Sequence, residues 1–202
     1  MSRHSRIVTL VATLSAFSAA VATQIPTAPP PAAATTKAAQ LPFERDLGRI
    51  AAIEKSRLEI ENSLKGYYGT PGQLEKCSAD IKALADIAAL YKAHGTTGAH
   101  RSVSEMALAQ MRRVQSTSRS VFASTMEETF MKKGLDIRFT TSGPENKILR
   151  LTYVLMSQPM VYQFQNEMKL PVMAQGIGFS RIIYSNGAGG SLGKSWTVDL
   201  SK

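Results

Sequence analysis

The sequence predicts an α+β fold, with an N-terminal three-helix region followed by a small antiparallel ββαββ sheet module. Two observations carry that prediction. Over residues 43–94 the apolar side chains recur at steps of three and four, the period of a helix with one buried face, and capping signals mark a third helix to Lys133. After Gly134 the period drops to two, and a single further helical stretch separates two pairs of short alternating segments.

The first helix covers 43–66, where Ile50, Ile53, Ile60 and Leu64 keep the spacing and charged residues fill the rest. Gly66-Tyr67-Tyr68-Gly69-Thr70-Pro71-Gly72 breaks it. A second helix over 71–94 opens with Thr70 as N-cap, Pro71 at the first helical position and Gln73 completing a capping box. Its stripe of Leu74, Cys77, Ile81, Leu84, Ala88 and Tyr91 is a seam for packing on another helix. A capping box of Ser102 and Glu105 opens the third helix, which runs to Lys133. There Lys132 and Lys133 suit the negative helix end and Gly134 suits a left-handed cap. The polar run Gln115–Ser120 is a poor helix interior and predicts a kink or break. The short loops imply an antiparallel bundle over 43–134.

Residues 135–202 then form the sheet module. Leu135, Ile137 and Phe139 alternate with Asp136, Arg138 and Thr140 in a first strand, Ser142–Asn146 turns the chain, and Ile148–Met156 is the hairpin partner. Ser157 caps a helix beginning near Pro159, with Val161, Phe164 and Met168 on one face. Leu170-Pro171 interrupts it, and Gly178 stops the short helical piece that follows. Arg181–Ser185 and Ser195–Leu200 are the third and fourth strands, joined by the glycine-rich loop Asn186–Gly193. Each half is too small to hold a core alone, so residues 43–202 are expected to fold as one cooperative unit.

The chain ahead of these elements is read as an export signal and a tether. Arg3, His4 and Arg6 precede the apolar run Ile7–Ala22, which closes on Ala20-Val21-Ala22. A basic head, an apolar middle and an A-x-A end describe a secretory signal peptide over 1–22, so the mature protein is expected to begin near Thr23 in the periplasm or outside the cell. Residues 23–42, rich in proline and alanine, read as a disordered linker. The single cysteine, Cys77, excludes an intramolecular disulfide, so the fold must hold by packing.

The formal net charge is +9, and removing Arg3 and Arg6 leaves +7. Residues 41–134 hold 14 Lys+Arg against 11 Asp+Glu and residues 135–202 hold 7 against 4, an excess of +3 in each half. Charge spread in this way argues against a specific nucleic-acid binder but suits weak contact with anionic lipid or polymer.

Several strings mimic active sites. Ala188–Ser195 resembles a phosphate-binding loop, yet that loop must lead into a helix, and Trp196–Leu200 alternates as a strand. The expectation is no ATP and no other cofactor. Ser191-x-x-Lys194 mimics a serine–lysine pair, but that chemistry needs the serine on a helix. His94 and His100 are too sparse to hold a metal without help, so no metal is expected, and Cys77 falls in an apolar stripe as a buried thiol. Two groups are left as candidate binding residues. Tyr67 and Tyr68 occupy a loop tip between glycines, where aromatic rings can stack on a sugar or meet a membrane surface. Arg112, Arg113 and Arg119 lie in the acid-free stretch Met106–Met126. The expected role is that of an exported, non-catalytic envelope or periplasmic protein that binds, or assembles with, an envelope protein partner. Two alternatives stand beside it: an envelope enzyme, for instance a hydrolase, with catalytic residues far apart in sequence, and a binder of anionic polymer or lipid head groups.

Overall fold

The computed structural model describes residues 42–200. The predicted signal peptide, the linker up to residue 41 and the last two residues lie outside the described residues. The described chain is α+β: three long helices, then a four-stranded sheet with helices on one face.

The helices are α1 (Phe43–Ser63), α2 (Pro71–His94) and α3 (Gly98–Met131). The capping box of α2 forms as read: Gln73 N–H donates to Thr70 Oγ1 at 3.3 Å, and Thr70 N–H donates to Gln73 Oε1 at 3.0 Å. α3 begins a turn earlier than its Ser102–Glu105 box predicts. Thr97 offers the same N-cap chemistry upstream, its hydroxyl accepting from His100 N–H at 3.3 Å. No break occurs at Gln115–Ser120, because the hydroxyls there turn inward. The single Thr117 hydroxyl proton is shared between Glu61 at 2.7 Å and Arg113 O at 3.2 Å, and Ser120 donates to Ser116 O at 3.4 Å. Leu84, Ile87, Tyr91, Val103, Val114 and Val121 fill the interface of the three helices. Full burial of a side chain such as Leu84 contributes about 2 kcal/mol.

The strands are β1 (Arg138–Ser142), β2 (Ile148–Thr152), β3 (Arg181–Ser185) and β4 (Ser195–Asp199), in spatial order β1-β2-β3-β4. The outer pairs are antiparallel, but β2 and β3 run parallel, so the sheet is mixed rather than antiparallel throughout. The cause is the connection between them: α4 (Gln158–Tyr162), a π turn over Gln163–Glu167 and α5 (Leu170–Ile177) carry the chain back along the sheet. β3 therefore enters at the end where β2 began, as any helical crossover requires. β2 also ends four residues short of Met156. Met156 N–H bonds to Tyr153 O at 2.8 Å as the chain turns toward α4, which leaves Val154 and Leu155 outside. Ser157 occupies the N-cap of α4 without a side-chain capping bond.

Phe139, Leu149, Leu151, Ile182 and Tyr184 bury against Phe122 and Phe130 of α3 and against Val161, Phe164, Leu170 and Ala174. α3 thus belongs to both cores, with Val121 in the helical one and its neighbour Phe122 in the sheet one. Among the described residues, no helix is long and apolar enough to cross a membrane.

Candidate functional site

Alternate residues of a strand point to opposite faces, and here the helices cover only one face. The other carries three rows across the sheet: Arg138, Thr152, Ser185, Ser195; then Thr140, Arg150, Ile183, Thr197; then Ser142, Ile148, Arg181, Asp199. Arg138, Arg150 and Arg181 are all exposed. From each arginine to the next is one strand across and two residues along, a diagonal step of about 8 Å. The face has a single acid, Asp199, whose Oδ2 is 3.8 Å from Arg181 Nη2. Its aromatic neighbours Phe139, Tyr184 and Trp196 all point to the covered side. The open face therefore offers guanidinium groups and hydroxyls, suited to phosphate or carboxylate oxygens, and the described residues of these three rows include no aromatic ring of the kind on which a nucleic-acid base stacks.

At the end of the sheet where β2 and β3 finish, a cavity of about 380 Å³ adjoins this face. Asp136, Arg138, Thr152, Tyr153, Val154 and Asn186–Ala188 line it.

A second concavity, of about 510 Å³, lies between the α1–α2 loop, α3 and the free edge of β1. Gly69 brings the loop against α3, where a Cβ would come within 2.5 Å of Val121 O, and its N–H donates to Ser124 Oγ at 2.9 Å. Tyr68 Oη bonds Met131 Sδ at 3.3 Å, whereas Tyr67 is 80% exposed. The facing wall is Phe139–Thr141. Glu127 Oε2 accepts from Phe139 N–H at 2.9 Å, so Phe139 and Thr141 direct their backbone groups away from β2 and into this cleft.

The three predicted arginines are not brought together. Arg112 is exposed beside the Glu145 carboxylate, whose pKa it helps to lower after the larger effect of Lys147. Arg113 is exposed with Nη1 3.6 Å from Glu54. Arg119 is only 3% exposed, donating from Nε to Gly178 O at 2.9 Å and from Nη1 to Glu145 O at 2.8 Å. Arg112 and Arg119 lie seven residues apart on α3 and both act on the Glu145 carboxylate, but the Arg119 guanidinium is occupied by Gly178 O and Glu145 O and is not a free surface.

The histidines, the cysteine and the buried tyrosine of the helical bundle are each held apart or engaged among the described residues. Cys77 is 1% exposed, and burial pushes its thiol up to about 11. His94 is exposed. Asp46 Oδ2, Tyr91 Oη and His100 Nδ1 are buried at the other end of the bundle without satisfied hydrogen-bond geometry. Burial first, and then the Asp46 carboxylate, push the Tyr91 pKa up, the wrong direction for a base. Ser104, one turn beyond His100, gives its hydroxyl to Ala88 O at 3.0 Å. Among the described residues no three His, Cys, Asp or Glu side chains are placed to hold a metal. The Ala188–Ser195 string leads into β4, and the amides of Ala188 and Lys194 are both accepted by Asn186 Oδ1, at 3.2 and 2.9 Å. No family model matches the chain, and searches of curated proteins and of solved structures find no match.

Proposed function

We propose that this protein is an exported, non-catalytic binding component of the envelope, and that it holds an anionic ligand on its open sheet face. The ligand chemistry is phosphate or carboxylate, carried by a lipid head group or by a polymer. The observation behind this reading is the diagonal of Arg138, Arg150 and Arg181 on a face that no described element covers. Spaced guanidinium groups favour a ligand with several negative charges over a single small anion. Export rests on the Arg3–Ala22 pattern. The non-catalytic reading rests on the cleft beside Tyr67, where the one carboxylate, Glu127, is occupied by a backbone amide.

Inorganic polyphosphate is the direct probe. It should bind the mature protein with an affinity that falls steeply with salt, and the Arg150→Glu, Arg181→Glu double variant should lose at least about tenfold. Both substitutions are at exposed sites, so a variant with unchanged melting and unchanged binding would refute the reading.

A second reading is favoured by the exposure of Tyr67 opposite the free edge of β1: an extended segment of an envelope protein partner pairing with Thr141 and stacking on that ring. Tyr67→Ala would weaken such a partner and leave polyphosphate binding unchanged.

A further inference from the structure

We propose that the anionic ligand is the surface of a lipid bilayer, and that Val154, Leu155 and Leu192 enter its interfacial region while Arg138 and its neighbours meet the head groups. This rests on the reading of the open face as an anion site and adds the source of the anion. Val154, Leu155 and Leu192 are 81, 68 and 76% exposed, apolar side chains that the fold holds in water. They are brought to one end of the molecule. β2 and β3 are parallel, so the turn after β2 and the loop after β3 emerge together. Val154 and Asn186 line the same cavity with Arg138, and Asn186 Nδ2 donates to Leu192 O at 2.9 Å. Thr152 Cγ2 would lie 2.9 Å from a Cβ on Gly187, so the loop after β3 packs closely on the last residue of β2.

The charges around this end complement the proposal. Arg138 and Lys194 are exposed there, with Arg150 one diagonal step away and Asp136 the opposing acid in the cavity. Apolar tips rimmed by cations match the two layers of an anionic membrane surface, acyl carbon beneath negatively charged head groups. A soluble polymer offers the charges but nothing for the three apolar side chains to enter.

The test is co-sedimentation of the mature protein with vesicles of phosphatidylcholine containing about a third phosphatidylglycerol, compared with pure phosphatidylcholine and with polyphosphate in solution. Binding is expected to the mixed vesicles and to be at least about tenfold weaker on pure phosphatidylcholine. The Val154→Asp, Leu155→Asp variant should lose at least about tenfold on the mixed vesicles and keep its polyphosphate affinity. Wild-type vesicle binding by that variant would overturn the insertion proposal while leaving the anion reading intact. Equal binding to pure phosphatidylcholine would overturn it too, by removing the role of charge. If Arg150→Glu with Arg181→Glu alters neither vesicle nor polyphosphate binding, the anion reading itself falls.

Discussion

Arg119 ties the helices to the sheet, and its replacement by methionine tests how strongly. The guanidinium is buried, and it donates to the terminal carbonyl of α5 at Gly178 and to the β1–β2 turn at Glu145. Burial pushes its pKa down, so the charge is held out of water at a cost that these two bonds offset. Methionine keeps much of the apolar stem and removes both donors. A bond from a charged donor contributes about 1.5–3 kcal/mol, so about 3–6 kcal/mol of interaction is lost. Relief from desolvating the charge returns part of this, and the net destabilisation is about 2–4 kcal/mol. Lysine should recover less than half of it, because one ammonium cannot reproduce a fork aimed at two carbonyls. Urea denaturation measures the loss by two probes: fluorescence of Trp196, the single tryptophan, reports β4, and far-UV circular dichroism reports mainly the helices. Both midpoints should fall together with unchanged slope. A loss below about 0.5 kcal/mol would refute the bridge. A shift in fluorescence alone would mean that the sheet melts apart from the helices.

Three further outcomes follow from the packing. Glu54 is held at about 2 against an ordinary 4.5, chiefly by its hydrogen bonds with Arg57. A depressed folded value contributes stability above pH 4.5 that is lost as the pH falls toward 2, so Glu54→Gln should flatten the stability profile across that window in equilibrium melts. Cys77, with its pKa raised to about 11, should resist a thiol-specific disulfide reagent at neutral pH until denaturant unfolds the chain, and rapid labelling of the native protein would contradict its burial. Gly69→Ala places a carbon 2.5 Å from Val121 O and should cost about 1–3 kcal/mol in a thermal melt while displacing the Tyr67 loop, as read by tyrosine ring resonances.

Elements with strong local chemistry were legible in the sequence. α2 follows from Thr70, Pro71 and Gln73 at one end and its stripe along one side, and β3 follows from the short apolar run Ile182-Ile183-Tyr184 between Gly178 and the glycine-rich loop. Where local chemistry was duplicated or ambiguous, tertiary contacts decided. Thr97 competed with Ser102 for the same cap, and Glu61 and the i−4 carbonyls absorbed the hydroxyls that looked like helix breakers. The apolar run Tyr153–Met156 reads as strand in isolation, yet only Met156 of its last three residues is buried.

The candidate site was harder to read because it depends on pairing rather than on any segment. Arg138, Arg150 and Arg181 each occupy the outward phase of a strand, which alternation alone reveals. Their alignment needs the parallel register that sets Arg181 beside Ile148. Had β3 run antiparallel to β2, Arg181 would stand at the Thr152 end and the diagonal would fold back on itself. Counting charge by segment was blind to this. Of the four acids in 135–202, Asp136 and Glu145 lie outside the strands, and Glu145 is paired with Lys147 at 2.7 Å in the β1–β2 turn. Glu167 lies in the crossover, so only Asp199 reaches the open face. An excess of +3 that looks evenly spread along the chain is therefore divided unequally in space: the turns hold their own counter-charges, and the flat face keeps its arginines. Three of the four acids fall in loops and in the crossover rather than in strands, alternation places only Asp199 among the arginines, and the crossover helices leave that side uncovered.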